Sequence, residues 1–124
     1  MDDKKETAIL YVDDEEPNLI LFKALFEKNY EVFTASSGQE ALVRLHLSSD
    51  RIKAVISDMS MPEMNGVEFI KKARHHHKSI GYFILTGYGN SEEINEALKE
   101  NIIHKFFTKP FKPEEIQQAI EEFV

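Results

Sequence analysis

Five short apolar runs, at residues 8–12, 30–35, 54–58, 81–86 and 104–108, alternate along the chain with five segments of helical length. This alternation constrains the fold more than any other feature. Strands separated by helices, with short loops between, make a parallel sheet covered by helices on both faces. The last three runs are almost continuously apolar, as strands buried on both sides should be. Right-handed crossovers leave few ways to order five such strands, and 2-1-3-4-5 is the common one. The expected fold class is therefore α/β: a five-stranded parallel sheet of that order with helices on both faces.

The helical segments carry their own start signals. Pro17 suits a first helical position, and Leu21, Phe22, Leu25 and Phe26 follow at helical spacing. Ser37-Gly38-Gln39-Glu40 reads as a capping box before the stripe Ala41, Leu42 and Leu45. Asn65-Gly66-Val67-Glu68 can open the third helix, which turns Val67, Ile70 and Ala73 inward. Asn90 or Ser91 caps the fourth, with Ile94, Ala97 and Leu98 as its stripe. Pro113 starts the fifth, carried by Ile116, Ala119, Ile120 and Phe123.

Chemistry-bearing residues stand at the ends of the strands. Asp13-Asp14 follows the first run, Asp58 closes the third, Thr86 closes the fourth and Lys109 follows the fifth. In an open parallel sheet the carboxyl ends of the strands share one edge, where ligands bind. The switch point of the order 2-1-3-4-5 lies between strands one and three, which end in Asp13-Asp14 and Asp58. Three carboxylates there call for a cation, and the set suits metal-assisted phosphoryl chemistry. With Lys109 the site carries a formal −2, and a divalent cation brings it to about neutral. Without the cation, like charges raise carboxylate pKa values and favour partial protonation.

Composition narrows the function classes. A length of 124 residues fits one domain. The net charge of −7 argues against direct nucleic-acid binding, which needs clustered Lys and Arg. There are no cysteines, hence no disulfide or thiolate metal site, which fits a cytoplasmic location. No apolar run is long enough to span a bilayer, and residues 1–6 read as a flexible polar arm, not a secretory leader.

Taken together, Val12-Asp13-Asp14, Asp58-Met59-Ser60-Met61-Pro62, Gly66, Thr86-Gly87 and Lys109-Pro110-Phe111 resemble the receiver (response regulator) domain of two-component signalling. The resemblance covers essentially the whole chain and implies the flavodoxin-like receiver fold over residues 1–124. It implies Asp58 as phosphoacceptor, in a Mg²⁺-dependent reaction in which Mn²⁺ can substitute. Asp14 would bind the metal directly, Asp13 through water, and Ser60 through its backbone carbonyl. Thr86 and Lys109 would contact the phosphoryl oxygens. Phe106 occupies the position of a switch aromatic that moves with Thr86, and the Lys109–Pro110 bond is expected to be cis. Ser60 and Tyr88 would tune the phosphoryl lifetime. The implied partners are a sensor histidine kinase or histidine phosphotransfer protein, and a downstream effector protein or output domain, with no membrane. The chain would be a monomer or a phosphorylation-dependent dimer, and not an enzyme beyond its own phosphorylation and slow dephosphorylation.

Two other functions match the pattern less well. A haloacid-dehalogenase-like phosphatase or phosphotransferase also uses Asp, Ser/Thr, Lys and Mg²⁺. Its nucleophile follows the first strand, however, with an acid two positions later, where this chain has Ser60. A flavodoxin-style electron carrier needs a hydroxyl- and glycine-rich phosphate loop after strand one, which Asp13-Asp14-Glu15-Glu16 would oppose. His75-His76-His77 reads as complementing a helix carboxyl end. Met59, Met61 and Met64 read as loop and core packing.

Overall fold

The computed structural model describes residues 7–87 and 91–124. Its elements are β1 (Ala8–Val12), α1 (Glu16–Phe26), β2 (Glu31–Ala35), α2 (Gly38–Ser48) and β3 (Ile52–Asp58). They continue with α3 (Gly66–His76), β4 (Gly81–Thr86), α4 (Glu92–Lys99), β5 (Lys105–Thr108) and α5 (Pro113–Phe123). All strands are parallel, in the order β2-β1-β3-β4-β5. The expected fold class is the observed one. Among the described residues no helix is long and apolar enough to cross a membrane.

Side chains alternate across a strand, so each strand feeds two cores. Leu10, Val12, Val55 and Ile84 pack with Ala41, Leu45, Val67, Ile70 and Ile94 of α2, α3 and α4. Ile9, Tyr11, Ile56, Phe83, Leu85 and Phe107 pack on the other face with Phe22 and Phe26 of α1 and Ile116 and Ile120 of α5. Phe106 and Phe107 therefore point to opposite faces, and Phe106 lies partly buried on the α2–α4 side.

Helix α1 departs from expectation. Only Phe22 and Phe26 of its apolar stripe are buried, while Leu21 and Leu25 remain 55% and 42% exposed. The i, i+4 pair faces the sheet, and the residues preceding each turn away from it by about 100°. At α2 the expected capping box is only half made. Ser37 Oγ accepts from the Glu40 N–H, but the Glu40 carboxylate accepts from the N–H and hydroxyl of Ser36. The complete capping box belongs to α3, where Asn65 and Glu68 each accept the other's backbone N–H. Ser91, not Asn90, caps α4 by accepting from the Ile94 N–H, and Asn90 lies outside the described residues. Three strands differ at their starts: β2 begins later, at Glu31, β3 earlier, at Ile52, and β5 later, at Lys105.

Strand register sets where the functional ends meet. Val12 pairs with Ser57, Asp58 with Leu85 and Thr86 with Thr108, so four strands end at nearly the same level. Gly66 locks the loop beyond β3 onto this edge, its N–H donating to the Met59 carbonyl at 2.9 Å. A Cβ on Gly66 would come within 2.5 Å of the Asp58 carbonyl and 2.7 Å of Ile84 Cδ1. A Cβ on Gly38 would meet mainly the flexible Met64 side chain, Sδ at 2.6 Å. Gly66→Ala is therefore expected to cost more than about 2 kcal/mol, as overpacking against backbone does, and Gly38→Ala clearly less. Urea unfolding of the two variants checks the order; equal costs would show that the loop beyond β3 yields freely.

Candidate functional site

The strand ends bring Asp13, Asp14, Asp58 and Lys109 together. Oxygens from the three carboxylates all lie within 4.8 Å of one another. Asp13 is fully buried, Asp58 is 7% exposed and Asp14 faces solvent. Lys109 Nζ sits 2.8 Å from Asp58 Oδ1 and 3.9 Å from Asp13 Oδ2. The cis Lys109–Pro110 bond follows directly, as expected, and the Lys109 N–H donates to the Thr86 carbonyl at 2.8 Å. Thr86 itself is 3% exposed at the end of β4. Ser60 stands exposed in the loop between β3 and α3, two residues beyond Asp58. Tyr88 lies outside the described residues.

The buried carboxylate of Asp13 is held by donors that the sequence did not reveal. Tyr11 Oη donates to Oδ2 at 2.7 Å, Asn18 Nδ2 donates to the same oxygen at 3.2 Å, and the Glu15 N–H donates to Oδ1 at 3.0 Å. Tyr11 stacks its ring on Phe22, with centroids 4.0 Å apart. A signal was present: a tyrosine in an otherwise aliphatic, fully buried strand must place its hydroxyl on a partner, and residue i+2 is on the same face. Burial, reinforced by the bond to Asp13, drives the Tyr11 pKa far above the usual phenol value, so Tyr11 remains a donor at any physiological pH.

Electrostatics at Asp58 are opposed. Burial raises its pKa, the hydrogen bond from Lys109 lowers it, and the charges of Asp13 and Asp14 raise it again; the net direction is up. At Lys109 burial works to lower the pKa, but the Asp58 hydrogen bond and the neighbouring carboxylates outweigh it, so the ammonium persists. A carboxyl with a raised native pKa binds its proton more tightly in the folded chain than in the unfolded one. Stability then falls as pH climbs from the ordinary carboxylate range through the raised value. A cation among the three carboxylates would remove that cost. The donor set, all hard oxygen with one solvent-facing carboxylate, fits Mg²⁺.

The remaining clusters behave as bland features. His75 and His76 lie in the last turn of α3 and His77 caps its end. Met64 is buried, and Met59 and Met61 pack against the core below the α2–α4 layer.

Comparison with known proteins gives the site a family. The model for the response regulator receiver domain matches residues 9–121. Sporulation initiation phosphotransferase F of Bacillus subtilis is 34% identical over 117 residues, which cover 94% of this chain and 92% of that protein. Chemotaxis protein CheY1 of Helicobacter pylori is likewise 34% identical, with 91% and 93% covered. The hydrogenase transcriptional regulatory protein HoxA of Cupriavidus necator is 31% identical over 97% of this chain, but the chain spans only 24% of its length. The structure of chemotaxis protein CheY4 of Vibrio cholerae superposes with a TM-score of 0.85 at 30% identity, covering 95% of this chain and 98% of that one. The haloacid-dehalogenase alternative finds no support: the carboxylate that Lys109 approaches more closely, at 2.8 Å, ends β3, while Asp13 after β1 lies at 3.9 Å, and position 60 is a serine. The chain belongs to the response regulator receiver domain family of two-component signal transduction.

Proposed function

We propose that residues 1–124 act as a phosphoacceptor module in which Asp58 takes a phosphoryl group from a histidine kinase or histidine phosphotransfer protein. The observation that carries this reading is the Lys109 ammonium 2.8 Å from Asp58 Oδ1, inside a cluster of three carboxylates. An Asp58 oxygen attacks phosphorus, the phosphorus–nitrogen bond of the donor breaks, and the imidazole leaves. Lys109 holds its proton and its charge against the phosphoryl oxygens, and the Thr86 hydroxyl donates to them. Asp14 directly, Asp13 through water and Ser60 through its carbonyl would hold the cation. When bound, Mg²⁺, or Mn²⁺ in its place, supplies positive charge that offsets the carboxylates and the transferring group.

The product carries about one more negative charge than the carboxylate did. That charge draws Thr86 inward, and Phe106, partly buried on the α2–α4 face, follows into the vacated space. The surface of α4, β5 and α5 changes as a result. An effector protein or an attached output domain reads it, with the chain as a monomer or a phosphorylation-dependent dimer. The module works in the cytoplasm without touching nucleic acid, and catalyses no reaction besides its own phosphorylation and slow dephosphorylation. Among relatives, HoxA supports the attached-output arrangement, and the two proteins of similar length support a stand-alone one.

Intact mass after incubation with acetyl phosphate and Mg²⁺ tests the assignment. One phosphoryl increment is expected in the wild type, and none in Asp58→Asn or in excess EDTA. An increment that survives either change would overturn it.

Tyr11→Phe removes one donor from Asp13 while keeping the ring stack. Loss of such an outer partner should weaken Mg²⁺ binding by about tenfold. Amide-shift titration with Mg²⁺ measures this directly, and an unchanged affinity would show that Asn18 and the Glu15 N–H suffice.

A further inference from the structure

A further cavity lies away from the carboxylates. It is a groove of about 770 Å³ between α2 and α3, lined by Leu42 and His46 on one side and by Lys71, Lys72, Ala73 and His75–His77 on the other. Helices in a parallel α/β unit run against the strands. The carboxyl-terminal halves of α2 and α3 therefore sit at the opposite edge of the sheet from Asp58. Nothing in the proposed phosphoryl chemistry uses this groove.

Three observations describe what would fit it. First, Lys71 and Lys72 are exposed and make no salt bridge among the described residues, although the chain as a whole is at −7. Arg74, His75 and His76 can be assigned to the negative end of the α3 dipole, because they lie in its last turn. Lys71 and Lys72 lie before that turn, so the dipole does not account for them. Second, the groove is bordered by unpaired apolar surface. Leu42, half-buried, lines it beside the fully buried Ala73, and on the α2 rim outside the groove lining Val43 and Leu47 are 60% and 71% exposed. Third, burial lowers the His77 pKa, with His76 and His46 adding to the effect, so that imidazole is a neutral polar wall near pH 7. The fixed positive charge on the groove comes from the two lysines.

We propose that the α2–α3 groove is a docking site for an acidic amphipathic helix of a protein partner. Its apolar stripe would lie on Leu42 and on the exposed Val43 and Leu47 at the α2 rim, and its carboxylates would meet Lys71 and Lys72. Helix-in-groove recognition needs this pairing of an apolar track with flanking charge. Charge complementarity selects the acidic partner, and the concave, partly apolar floor selects a protein segment over other polyanions. A bilayer is flat, and nucleic acid would meet two lysines set in an acidic protein, too few for counterion-driven binding. A partner seated here leaves the Asp58 edge open, so it can be held while the phosphoryl group comes and goes.

The test uses the full chain, isotope-labelled, and three probes. The first is a peptide of about 18 residues, five helical turns, with leucine at i, i+3, i+4 and i+7 and glutamate elsewhere. The second has lysine in place of every glutamate, and the third is a phosphatidylglycerol vesicle. The glutamate peptide is expected to give saturable amide shifts centred on residues 42–47 and 71–77. Lys71→Glu with Lys72→Glu, which creates like-charge contacts, should weaken it at least roughly tenfold. Should that pair fail to fold, Lys71→Gln with Lys72→Gln replaces it, with a smaller loss in the same direction. No saturable shift, shifts centred elsewhere, equal binding of the lysine peptide, or binding only to the vesicle would each overturn the proposal. Because these variants leave Asp58, Lys109 and the acidic pair untouched, their phosphoryl uptake reports separately on the proposed function.

Discussion

Negative charge gathered at one end of a sheet is the constraint on which the rest of this molecule turns. Asp13 is fully buried, Asp58 nearly so, and both stand with Asp14 inside a space 4.8 Å across. Such a cluster is costly unless each charge finds a partner. The chain supplies partial relief from four directions: Lys109 to Asp58, and Tyr11, Asn18 and the Glu15 N–H to Asp13. The relief is incomplete: burial first, and the charges of Asp13 and Asp14 after it, keep the Asp58 pKa raised against the pull of Lys109. What remains is a site that gains from a divalent cation, and in which the charge state of Asp58 matters to the whole edge.

The scaffold makes that site possible by rigidity. Register aligns the ends of β1, β3, β4 and β5, so residues far apart in sequence arrive with little adjustment. Gly66 admits the Asp58 carbonyl where any side chain would collide. Tyr11 is both core and site: its ring stacks on Phe22 of α1 while its hydroxyl holds Asp13. Packing against α1 thus reaches the acidic pair through Tyr11, beside the direct bond from Asn18 of α1. On the other face, Thr86 and Phe106 sit on the adjacent strands β4 and β5, where a concerted shift would alter the α4 side of the molecule.

Much of this was legible in the sequence because two periodicities carried it. Alternating runs and helical stripes specified the α/β class, and handedness rules reduced strand order to one common solution. The meeting of Asp13, Asp14, Asp58 and Lys109 is legible because strand ends in a parallel sheet must share an edge. The misses have physical causes. Leu21 and Leu25 of α1 are apolar but lie off the buried stripe, and periodicity alone cannot separate adjacent apolar faces. Glu40 caps one residue earlier than its spacing from Ser37 suggests, since its side chain can reach the Ser36 N–H instead. Tyr11 carries a faint signal, a lone phenol in an aliphatic strand two residues before Asp13, whereas the role of Asn18 exists only once Asp13 is folded beside it. The groove between α2 and α3 joins residues from two helices, and no single stretch of sequence displays it.

The central claim is that burial and crowding at the strand edge make Asp58 a poised, cation-dependent carboxylate. Its titration, followed by the carbon-13 shift of the Asp58 carboxyl with and without Mg²⁺, tests this most directly. In EDTA the pKa should lie above the ordinary aspartate value of about 3.9, and saturating Mg²⁺ should bring it down. An ordinary pKa in EDTA that Mg²⁺ leaves unmoved would contradict the account.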